Sequence, residues 1–528
     1  MITANYLPIV LLLAEVSPSW TGRVLSVFPE INISGCRRFR FGNDSPKTNR
    51  TIMVMGATGA GKSTLIDGMI NSILGVQWKD DYRFKLVKED QKETQAMSQT
   101  SEVTIDYSLT IIDTPGFGDT RGIDRDKEIT EQIRNLFTSK TGVFELDAVC
   151  FVVQSALARL TPSQKYVFDS VLSIFGKDIA ENIRVLAITA SGVPCPEEKG
   201  VPLHFKFNNS VLFACSTSST NEEDDEDEGF DEMFWAMGCK SMKKFFSALN
   251  QIQTKSLTLT KEVLSERKQL EILLESLQKQ VRVGLSKMDE IKQTSVILQT
   301  HEAEISMNAK FEYEVTIPET NRIEKKENTF ITNCQQCSFT CHDNCIFAND
   351  EEKIHCGAMR NGYCIVCPGK CIWSVHFNQK YKWEYKLVTK KQTLTDLKAK
   401  YEIATGAKNS VELIMMKLEN EYEEVQVEVT VMMDESSSSL NRLKEIALKP
   451  DPLSTPDYID MLIEGEKSDA KPGWKTRVES LNGMKEKAEY MAKVGRGEVL
   501  LEKGQRKTHK KPLSKTLWQK ITAPFTNQ

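Results

Sequence analysis

The sequence lacks any long apolar run and carries little net charge. Its longest apolar stretch, Leu7–Ala14, is far shorter than the ~20 residues that cross a bilayer. A formal net charge of −5 gives the chain no overall attraction for nucleic acid or anionic lipid. With 40% apolar and 27% charged residues in 528 positions, the chain has the composition of a globular protein of several domains. Collagen-like, mucin-like and wholly disordered classes are therefore excluded.

Cysteine is scarce outside one segment. Eight of the 13 cysteines lie between Cys334 and Cys371, and the other five are scattered, several of them within apolar runs. Scattered cysteines are typical of reduced core residues, and a dense cluster is typical of metal ligands. The apolar run near the start lacks the preceding basic residues of a secretory signal. We therefore expect a cytoplasmic protein.

Short apolar runs alternate with helical patterns in the first half of the chain. The runs are Thr51–Met55, Val103–Tyr107, Leu109–Ile112, Ala148–Val153, Val185–Thr189 and Val211–Ala214. An acidic loop at Glu222–Glu228 and a helix near Met233–Leu249 are expected to follow. Alternation of buried strands with helices predicts an α/β domain with a mostly parallel sheet.

A phosphate-binding loop follows the first apolar run. It matches the pattern Gly-x-x-x-x-Gly-Lys-Ser, and its residues are Gly56, Thr58, Gly59, Ala60, Gly61, Lys62, Ser63 and Thr64, with Ala57 as the second position. Glycines let the backbone wrap around a phosphate, and amides at a helix N-terminus supply positive potential. We expect Lys62 to contact the β- and γ-phosphates of a nucleotide and the Ser63 hydroxyl to bind Mg²⁺.

A second motif, Asp-Thr-Pro-Gly, ends another apolar run at residues 113–116. Asp113 is placed to hold Mg²⁺ through water, and the Gly116 amide to contact the γ-phosphate. Thr100 is the best candidate for a switch threonine that closes on both, with Ser98 and Thr94 as competitors. A solvated loop threonine is the alternative interpretation of Thr100.

These two motifs resemble those of the septins and of the related immunity-associated and chloroplast-import (Toc-like) GTPases. The resemblance rests on Gly-Ala-Thr-Gly-Ala-Gly-Lys-Ser-Thr at 56–64 and Asp-Thr-Pro-Gly-Phe-Gly-Asp at 113–119, and it covers about residues 50–250. The whole layout also resembles a group of animal P-loop GTPases with a cysteine-rich insert in a coiled coil. That likeness rests on the residues at 340–345, 364–371 and 457–460. It implies a G domain that binds GTP with Mg²⁺.

Hydrolysis is expected to be slow. In Ras-like enzymes the residue after the switch glycine is a glutamine that orients the attacking water, and here that residue is Phe117. By the septin-like resemblance, turnover would depend on Thr100 and Gly116, on dimer contacts or on a partner. Arg121 and Arg159 are candidate trans-acting arginines, although a solvated arginine is the simpler interpretation of each.

The residue that reads the base departs from the family pattern. In septin-like sequences an Ala-Lys-Ala-Asp stretch follows the strand after the switches, and its carboxylate binds guanine. Here the strand Arg184–Thr189 leads into Ala190-Ser191-Gly192, so Ser191 stands where the carboxylate is expected. A hydroxyl accepts more weakly than a carboxylate, which predicts a blunted preference for GTP over ATP.

Two heptad patterns flank the cysteine cluster. In the first, the positions seven residues apart are Val263, Leu270, Leu277, Gly284, Ile291, Leu298 and Ile305, all apolar except the glycine. The second runs from Leu394 to Met432. Both predict coiled-coil helices. Alternating residues near 311–317 and 381–387 predict two strands that pair around the cluster. An antiparallel stalk with a metal-bound tip is one interpretation, and a parallel homodimeric coil is the other.

The expected divisions of the chain follow from these patterns. They are a lead-in at 1–50, the G domain at 51–250, a coiled-coil helix at 255–310, a strand-flanked zinc module at 311–388, a returning helix at 390–448 and a C-terminal segment at 450–528.

The cysteine cluster has the spacing of zinc ligands. The candidate ligands are Cys334, Cys337, Cys341, His342, Cys345, Cys356, Cys364, Cys367, Cys371 and His376. Two Cys-x-x-Cys pairs with further Cys and His nearby suit tetrahedral Zn²⁺, and disulfides are the minor alternative. We expect two structural ions. The first set is Cys334, Cys337, Cys364 and Cys367. The second set is Cys341 or His342, Cys345, Cys356, and Cys371 or His376. An interleaved arrangement fits equally well.

The sequence thus predicts a slow GTPase switch that controls either self-association or the binding of a protein partner. Self-association would give a homodimer or a larger assembly through the G domain and the coiled coil. The alternatives are a non-hydrolysing nucleotide-binding scaffold and a RING-like zinc interaction module. The zinc module lacks the stripe of basic residues that nucleic-acid binding requires. The basic tail at 503–528, with Leu517, Trp518 and Phe525 as apolar anchors, suits weak contact with an anionic membrane; a solvated tail is the alternative.

Overall fold

The computed structural model describes residues 9–13, 28–29, 37–41, 48–80, 83–84, 108–118, 123–154, 161–188, 197–198, 201–202, 204–207, 211–212, 225–300, 312–325, 330–401, 410–450, 456–469 and 474–501. The chain divides into two compact units. The first comprises Met1–Glu275 and Glu435–Arg496, and the second comprises Ser276–Asp434 and Gly497–Gln528. None of the helices in the described ranges is long and apolar enough to span a membrane.

Nine α-helices are found among the described residues. In chain order they are α1 (Lys62–Ile73), α2 (Ile123–Thr138), α3 (Pro162–Ile174), α4 (Asp225–Leu249), α5 (Thr258–Thr300), α6 (Leu394–Lys400), α7 (Ser410–Ile446), α8 (Pro456–Asp469) and α9 (Trp474–Gly495). Helix α3 begins with Pro162 after a capping box between Thr161 and Gln164.

Twelve strands belong to the first unit. In chain order they are β1 (Ile9–Leu13), β2 (Phe28–Pro29), β3 (Arg37–Phe41), β4 (Asn49–Gly56), β5 (Ser108–Asp113), β6 (Glu145–Leu146), β7 (Ala148–Gln154), β8 (Ile183–Ile188), β9 (Glu197–Glu198), β10 (Val201–Pro202), β11 (His204–Phe207) and β12 (Lys255–Ser256). Eight of them form one sheet in the order β11-β8-β7-β4-β5-β1-β3-β2.

The centre of this sheet is parallel. Strands β11, β8, β7, β4 and β5 pair in parallel, and β1 joins β5 in antiparallel register. Residues Thr51–Gly56 of β4 are all buried, as expected for a parallel strand covered on both faces. The predicted mostly parallel α/β sheet, which carries the phosphate loop at the end of β4, is confirmed. The fold is that of a P-loop G domain.

Two apolar layers cover the sheet. One contains Leu65 and Met69 of α1 with Phe245 of α4. The other contains Ile133 of α2 together with Leu462 of α8, and α3 and α9 also contribute to it. The last two helices therefore share a core with the G domain, although they lie more than two hundred residues beyond it in the sequence.

Three details of the first unit differ from the prediction. Residues 1–50 were expected to be a lead-in, but β1, β2 and β3 extend the sheet. The run at Val211–Ala214 was expected to be a strand. Val211 and Leu212 form a turn instead, and β11 occupies the edge, where Phe205 and Phe207 are buried alternately. Part of the expected acidic loop, from Asp225 onward, is the start of α4, because acidic side chains are stabilised at a helix N-terminus.

The second unit contains the remaining strands. They are β13 (Glu312–Glu324), β14 (Phe330–Cys334), β15 (Phe339–Cys345), β16 (Met359–Arg360), β17 (Tyr363–Cys364), β18 (His376–Gln379) and β19 (Tyr381–Thr393). The two strands predicted to flank the cysteines do pair, since β13 and β19 form a continuous antiparallel ladder of 13 residues each. Strands β15, β14 and β18 form a small sheet beside the cysteines.

The α5 and α7 segments of this unit run antiparallel within the chain. Lys287 Nζ lies 2.6 Å from a carboxylate oxygen of Glu421. The Tyr422 hydroxyl donates to the Met288 sulfur at 2.9 Å. Further along α5, Leu298 shares a buried cluster with Ile414, so residue numbers rise on one helix as they fall on the other. The two helical segments are therefore antiparallel neighbours within one chain.

Candidate functional site

The phosphate loop leaves the carboxyl end of β4 and enters α1. Gly56 ends the strand with φ 149°, and a Cβ there would lie 2.4 Å from the Val152 carbonyl oxygen of the neighbouring strand. Gly59 and Gly61 also have positive φ values, 75° and 90°. Only glycine adopts these conformations at little cost. The glycines therefore determine the path of the loop from β4 into α1.

The turn after β5 is fastened to this loop. The Thr58 amide donates to the Phe117 carbonyl at 2.9 Å, and the Phe117 amide donates to the Gly56 carbonyl at 3.1 Å. Gly116 lies so close that a Cβ on it would be 2.5 Å from Thr58 Cα. The Gln154 side chain, at the end of β7, donates to the Gly59 carbonyl at 2.8 Å. Three neighbouring strands therefore fix the loop.

Buried Lys62 and partly buried Asp113 lie at the centre of this arrangement. The Lys62 Nζ donates to the carbonyls of Gly56 at 3.2 Å and Ala57 at 2.8 Å. Burial lowers the pKa of Lys62 to about 8, and the charge of Asp113 opposes this. Burial raises the pKa of Asp113 to about 6, and Lys62 partly offsets that rise. The structure thus brings the lysine of the first motif and the carboxylate of the second within electrostatic reach.

The donor set fits a hydrated magnesium ion. Asp113 Oδ1 is buried and has no hydrogen-bond partner among the described residues. An orphaned carboxylate oxygen is a hard ligand of the kind that Mg²⁺ prefers. Ser63 is exposed at the start of α1, and Thr114 is turned away because its hydroxyl donates to the Val54 carbonyl at 2.8 Å. Ser63 and Asp113 are therefore the residues that would hold the ion.

Phe117, the residue after the Gly116 of the second motif, belongs to the apolar core. Its side chain is only 1% exposed and packs in the apolar layer that contains α2 and α3. The next amide, of Gly118, donates to both carboxylate oxygens of Asp126, at 3.1 and 3.2 Å. Asp126 also accepts from the Tyr166 hydroxyl at 2.9 Å. Asp126 and Tyr166 were not predicted from the sequence. An acidic residue in the first turn of a helix is common, and no local pattern indicates that Asp126 would bind the Gly118 amide.

Several predicted residues fall outside the described residues. They are Thr94, Ser98, Thr100, Arg121, Arg159 and Ser191, together with the basic tail at 503–528. Their assigned roles remain predictions.

The cysteine module brings its candidate ligands into three groups. In each group the sulfur or imidazole nitrogen atoms lie within 4.8 Å of one another. The groups are Cys334, Cys337, Cys367 and Cys371; Cys341, Cys364, Cys367 and His376; and His342, Cys345 and Cys356. All ten candidates are used, and the cysteines among them are free thiols.

This grouping differs from the predicted pairing of ligands. Cys364 was expected beside Cys334 and Cys337, but Cys371 takes that place, with its sulfur 3.6 Å from that of Cys337. Cys364 instead faces Cys341 on β15. The reason is local: Lys370 has φ 45°, and its amide bonds to the Cys367 carbonyl at 2.9 Å, so the chain turns back and carries Cys371 to the first pair.

Backbone amides surround the sulfurs. The Cys364 sulfur accepts from the amides of Val366 and Cys367, and the Cys367 sulfur accepts from that of Cys371, each at 3.4 Å. The His376 Nδ1 pairs with the Ile372 carbonyl at 2.9 Å, which leaves Nε2 facing the Cys367 sulfur at 3.7 Å. Such contacts fix ligand orientation in metal sites.

Comparison with known proteins bears on the first unit. Residues 50–195 match the AIG1 family. The matched segment is well under half of the chain. No curated protein matches the chain. The match over residues 50–195 confirms the predicted likeness of that segment to the immunity-associated, Toc-like branch of the P-loop GTPases.

Solved structures give weak similarities. A dimerization-deficient mutant of Toc33 from Arabidopsis thaliana aligns with 19% identity and a TM-score of 0.19, covering 38% of this chain and 68% of that one. Toc33 with Mg²⁺ and GMPPNP aligns with 16% identity and a TM-score of 0.20 over the same shares. An oligomerised bacterial dynamin pair aligns with 11% identity and a TM-score of 0.18, covering 86% of this chain and 68% of that one. TM-scores this low support no conclusion about function.

Proposed function

We propose that the chain is a guanine-nucleotide-binding switch whose G domain controls self-association or partner binding through a zinc-tipped helical stalk. The observation that carries the proposal is the fixed phosphate loop with buried Lys62 beside an orphaned Asp113 oxygen. The AIG1 family match over residues 50–195 supports the choice of a GTPase among P-loop proteins. Cytoplasmic location, the animal group with a zinc insert and the coiled-coil character of the stalk belong to the same proposal.

The residues of the loop have separate tasks in this proposal. The loop amides other than those of Thr58 and Ala60 bind phosphate oxygens together with the N-terminus of α1. The Lys62 ammonium group, which donates hydrogen bonds to two loop carbonyls in this structure, is the cation that would contact the β- and γ-phosphates. Ser63 and Asp113 hold Mg²⁺, which neutralises phosphate charge when bound. Ser191 reads the base, and its hydroxyl gives the blunted preference for GTP.

Slow hydrolysis fits the position of Phe117. A side chain that is 1% exposed in an apolar layer neither accepts a proton nor orients water. Turnover would then depend on Thr100 and the Gly116 amide, or on groups supplied by a second molecule. A scaffold that binds nucleotide without hydrolysing it is the second candidate, and the same observation favours it.

The stalk tip is proposed to be stabilised by Zn²⁺. Three buried groups of Cys and His ligand atoms support this, because thiolate and imidazole are the ligands of structural zinc. A RING-like interaction module is the alternative. It is favoured by Tyr363 and Ile372, which are bridged to each other and are 56% and 44% exposed.

The test is the mass of the full chain in solution, with its metal content, in GTP, in GDP and without nucleotide. A switch gives a larger mass with GTP than with GDP. Lys62→Ala should show one mass in all three conditions, and Lys79→Ala, which removes an exposed lysine just after α1, should behave as wild type. One wild-type mass in all conditions, with nucleotide bound, would favour the scaffold over the switch.

A further inference from the structure

The sharing of one sulfur between two ligand groups has a specific chemical meaning. Cys367 belongs to the group of Cys334, Cys337 and Cys371 and also to the group of Cys341, Cys364 and His376. Its side chain is fully buried. A single sulfur within ligand distance of two sets of donors is the geometry of a bridging thiolate.

The spacing of the donor atoms agrees with tetrahedral zinc. Zn–S bonds of about 2.3 Å place the sulfurs of an ideal tetrahedron about 3.8 Å apart, whereas a disulfide requires about 2.0 Å. The Cys337 and Cys371 sulfurs are 3.6 Å apart, and the Cys345 and Cys356 sulfurs are 3.7 Å apart. These pairs are therefore set for coordination of a metal.

Four protein ligands for each of these two ions require the sharing of Cys367. If it served only one ion, the other ion would keep three ligands, either Cys334, Cys337 and Cys371 or Cys341, Cys364 and His376. No other His, Cys, Asp or Glu of the described residues joins either group. Structural zinc is four-coordinate, and a thiolate carries lone pairs enough for two ions. Sharing completes both tetrahedra with seven side chains.

The contacts around the bridge suit this arrangement. The Cys371 amide donates to the Cys367 sulfur at 3.4 Å and so disperses part of its charge. The His376 Nδ1 is occupied by the Ile372 carbonyl at 2.9 Å, so its Nε2 lone pair is directed to the shared side of the cluster.

The third group shares no residue with the other two. His342 Nδ1 lies 3.2 Å from the Cys356 sulfur, and Cys345 is the third member. An ion held here would have three protein ligands and would take its fourth ligand from solvent. Lys353, which is 0% exposed, places its Nζ 3.6 Å from the Cys345 sulfur and donates to the Phe347 carbonyl at 2.6 Å. The Lys353 side chain is thus a buried donor beside the Cys345 sulfur, a contact that orients this candidate ligand.

We propose that the module holds three zinc ions, two of which share the Cys367 thiolate, rather than two separate ions. This inference rests on the zinc part of the proposed function. It adds the count of ions and the bridging role of one cysteine.

The first measurement is the zinc count. Native mass spectrometry of the full chain, purified with reductant and without chelator, should give three zinc ions per chain. Two ions would contradict the proposal while leaving a zinc tip in place. A chain without zinc would contradict the zinc part of the proposed function as well.

The second measurement detects the bridge. After exchange of zinc for an NMR-active cadmium isotope, two cadmium signals should split each other through the shared sulfur, and a third should remain single. Cys367→Ser should abolish the splitting. Cys345→Ser is the matched control, because it should remove the single signal, lower the count from three to two and keep the split pair. Three unsplit signals from the wild-type chain would overturn the bridge without reference to any variant.

Discussion

Replacing Gly116 by alanine tests the contact between the switch turn and the phosphate loop. The added Cβ would lie 2.5 Å from Thr58 Cα and 2.6 Å from the Thr58 amide nitrogen. Carbon atoms in contact prefer about 3.5–4.0 Å, so one backbone must move by about 1 Å. That movement strains the two hydrogen bonds between Gly56, Thr58 and Phe117 that join the turn to the loop. Overpacking of this kind costs about 1–3 kcal/mol.

The expected result for Gly116→Ala is a free energy of unfolding lower by about 1–3 kcal/mol, with nucleotide affinity reduced at least about tenfold because the loop amides lose their alignment. Denaturant titration and equilibrium titration with GTP and Mg²⁺ measure the two effects. Gly483→Ala is the control, since nothing lies within 4 Å of its Cβ position in α9. That change should stabilise the helix by up to about 1 kcal/mol. If Gly116→Ala matched wild type in both measurements, the close approach of the turn to the loop would be wrong.

Three other changes test single groups of the site. Asp113→Asn should remove a pH dependence: because burial raises the Asp113 pKa from 3.8 to about 6, the folded wild type binds the proton more tightly than the unfolded chain. Without Mg²⁺ and nucleotide, wild-type stability should therefore fall relative to the variant by about 2 kcal/mol as the pH rises from about 4 to 7, as denaturant titration at both pH values would show. Phe117→Gln should lower stability by about 3 kcal/mol in the same assay, and single-turnover kinetics should show no faster hydrolysis, because the position is in the core. Ser191→Asp should raise GTP-over-ATP preference by about ten- to a hundredfold in competition binding; a wild type that already discriminates strongly and does not respond would show that another residue reads the base.

The phosphate site was predictable because its determinants are local. Gly56, Gly61 and Lys62 lie within one short segment, and the apolar runs on either side of it specify a strand and a helix. Asp113 was recognised for the same reason, since it ends an apolar strand. The burial that raises its pKa, and the orphaned oxygen, required the packing of β4, β5 and the loop to be known.

The clustering of the candidate Cys and His ligands was predictable as a set, whereas their grouping was not. Spacing alone predicted Cys364 beside Cys334 and Cys337, but the turn at Lys370 places Cys371 there instead. Cys341 and Cys364 are more than twenty residues apart in the sequence and meet only through the folding of β15 and β17. The position of Leu462 in α8 could not be predicted for the same reason. It packs in the G-domain core against residues that are far from it in the sequence.

The central claim is that this chain binds a guanine nucleotide through Lys62. Equilibrium titration of the purified full chain with a fluorescent GTP analogue and Mg²⁺ tests it most directly. The account predicts saturable binding by wild type and by Lys79→Ala, and no detectable binding by Lys62→Ala, whose thermal unfolding should stay cooperative. Wild-type affinity in a folded Lys62→Ala protein, or no binding by the wild type, would contradict it.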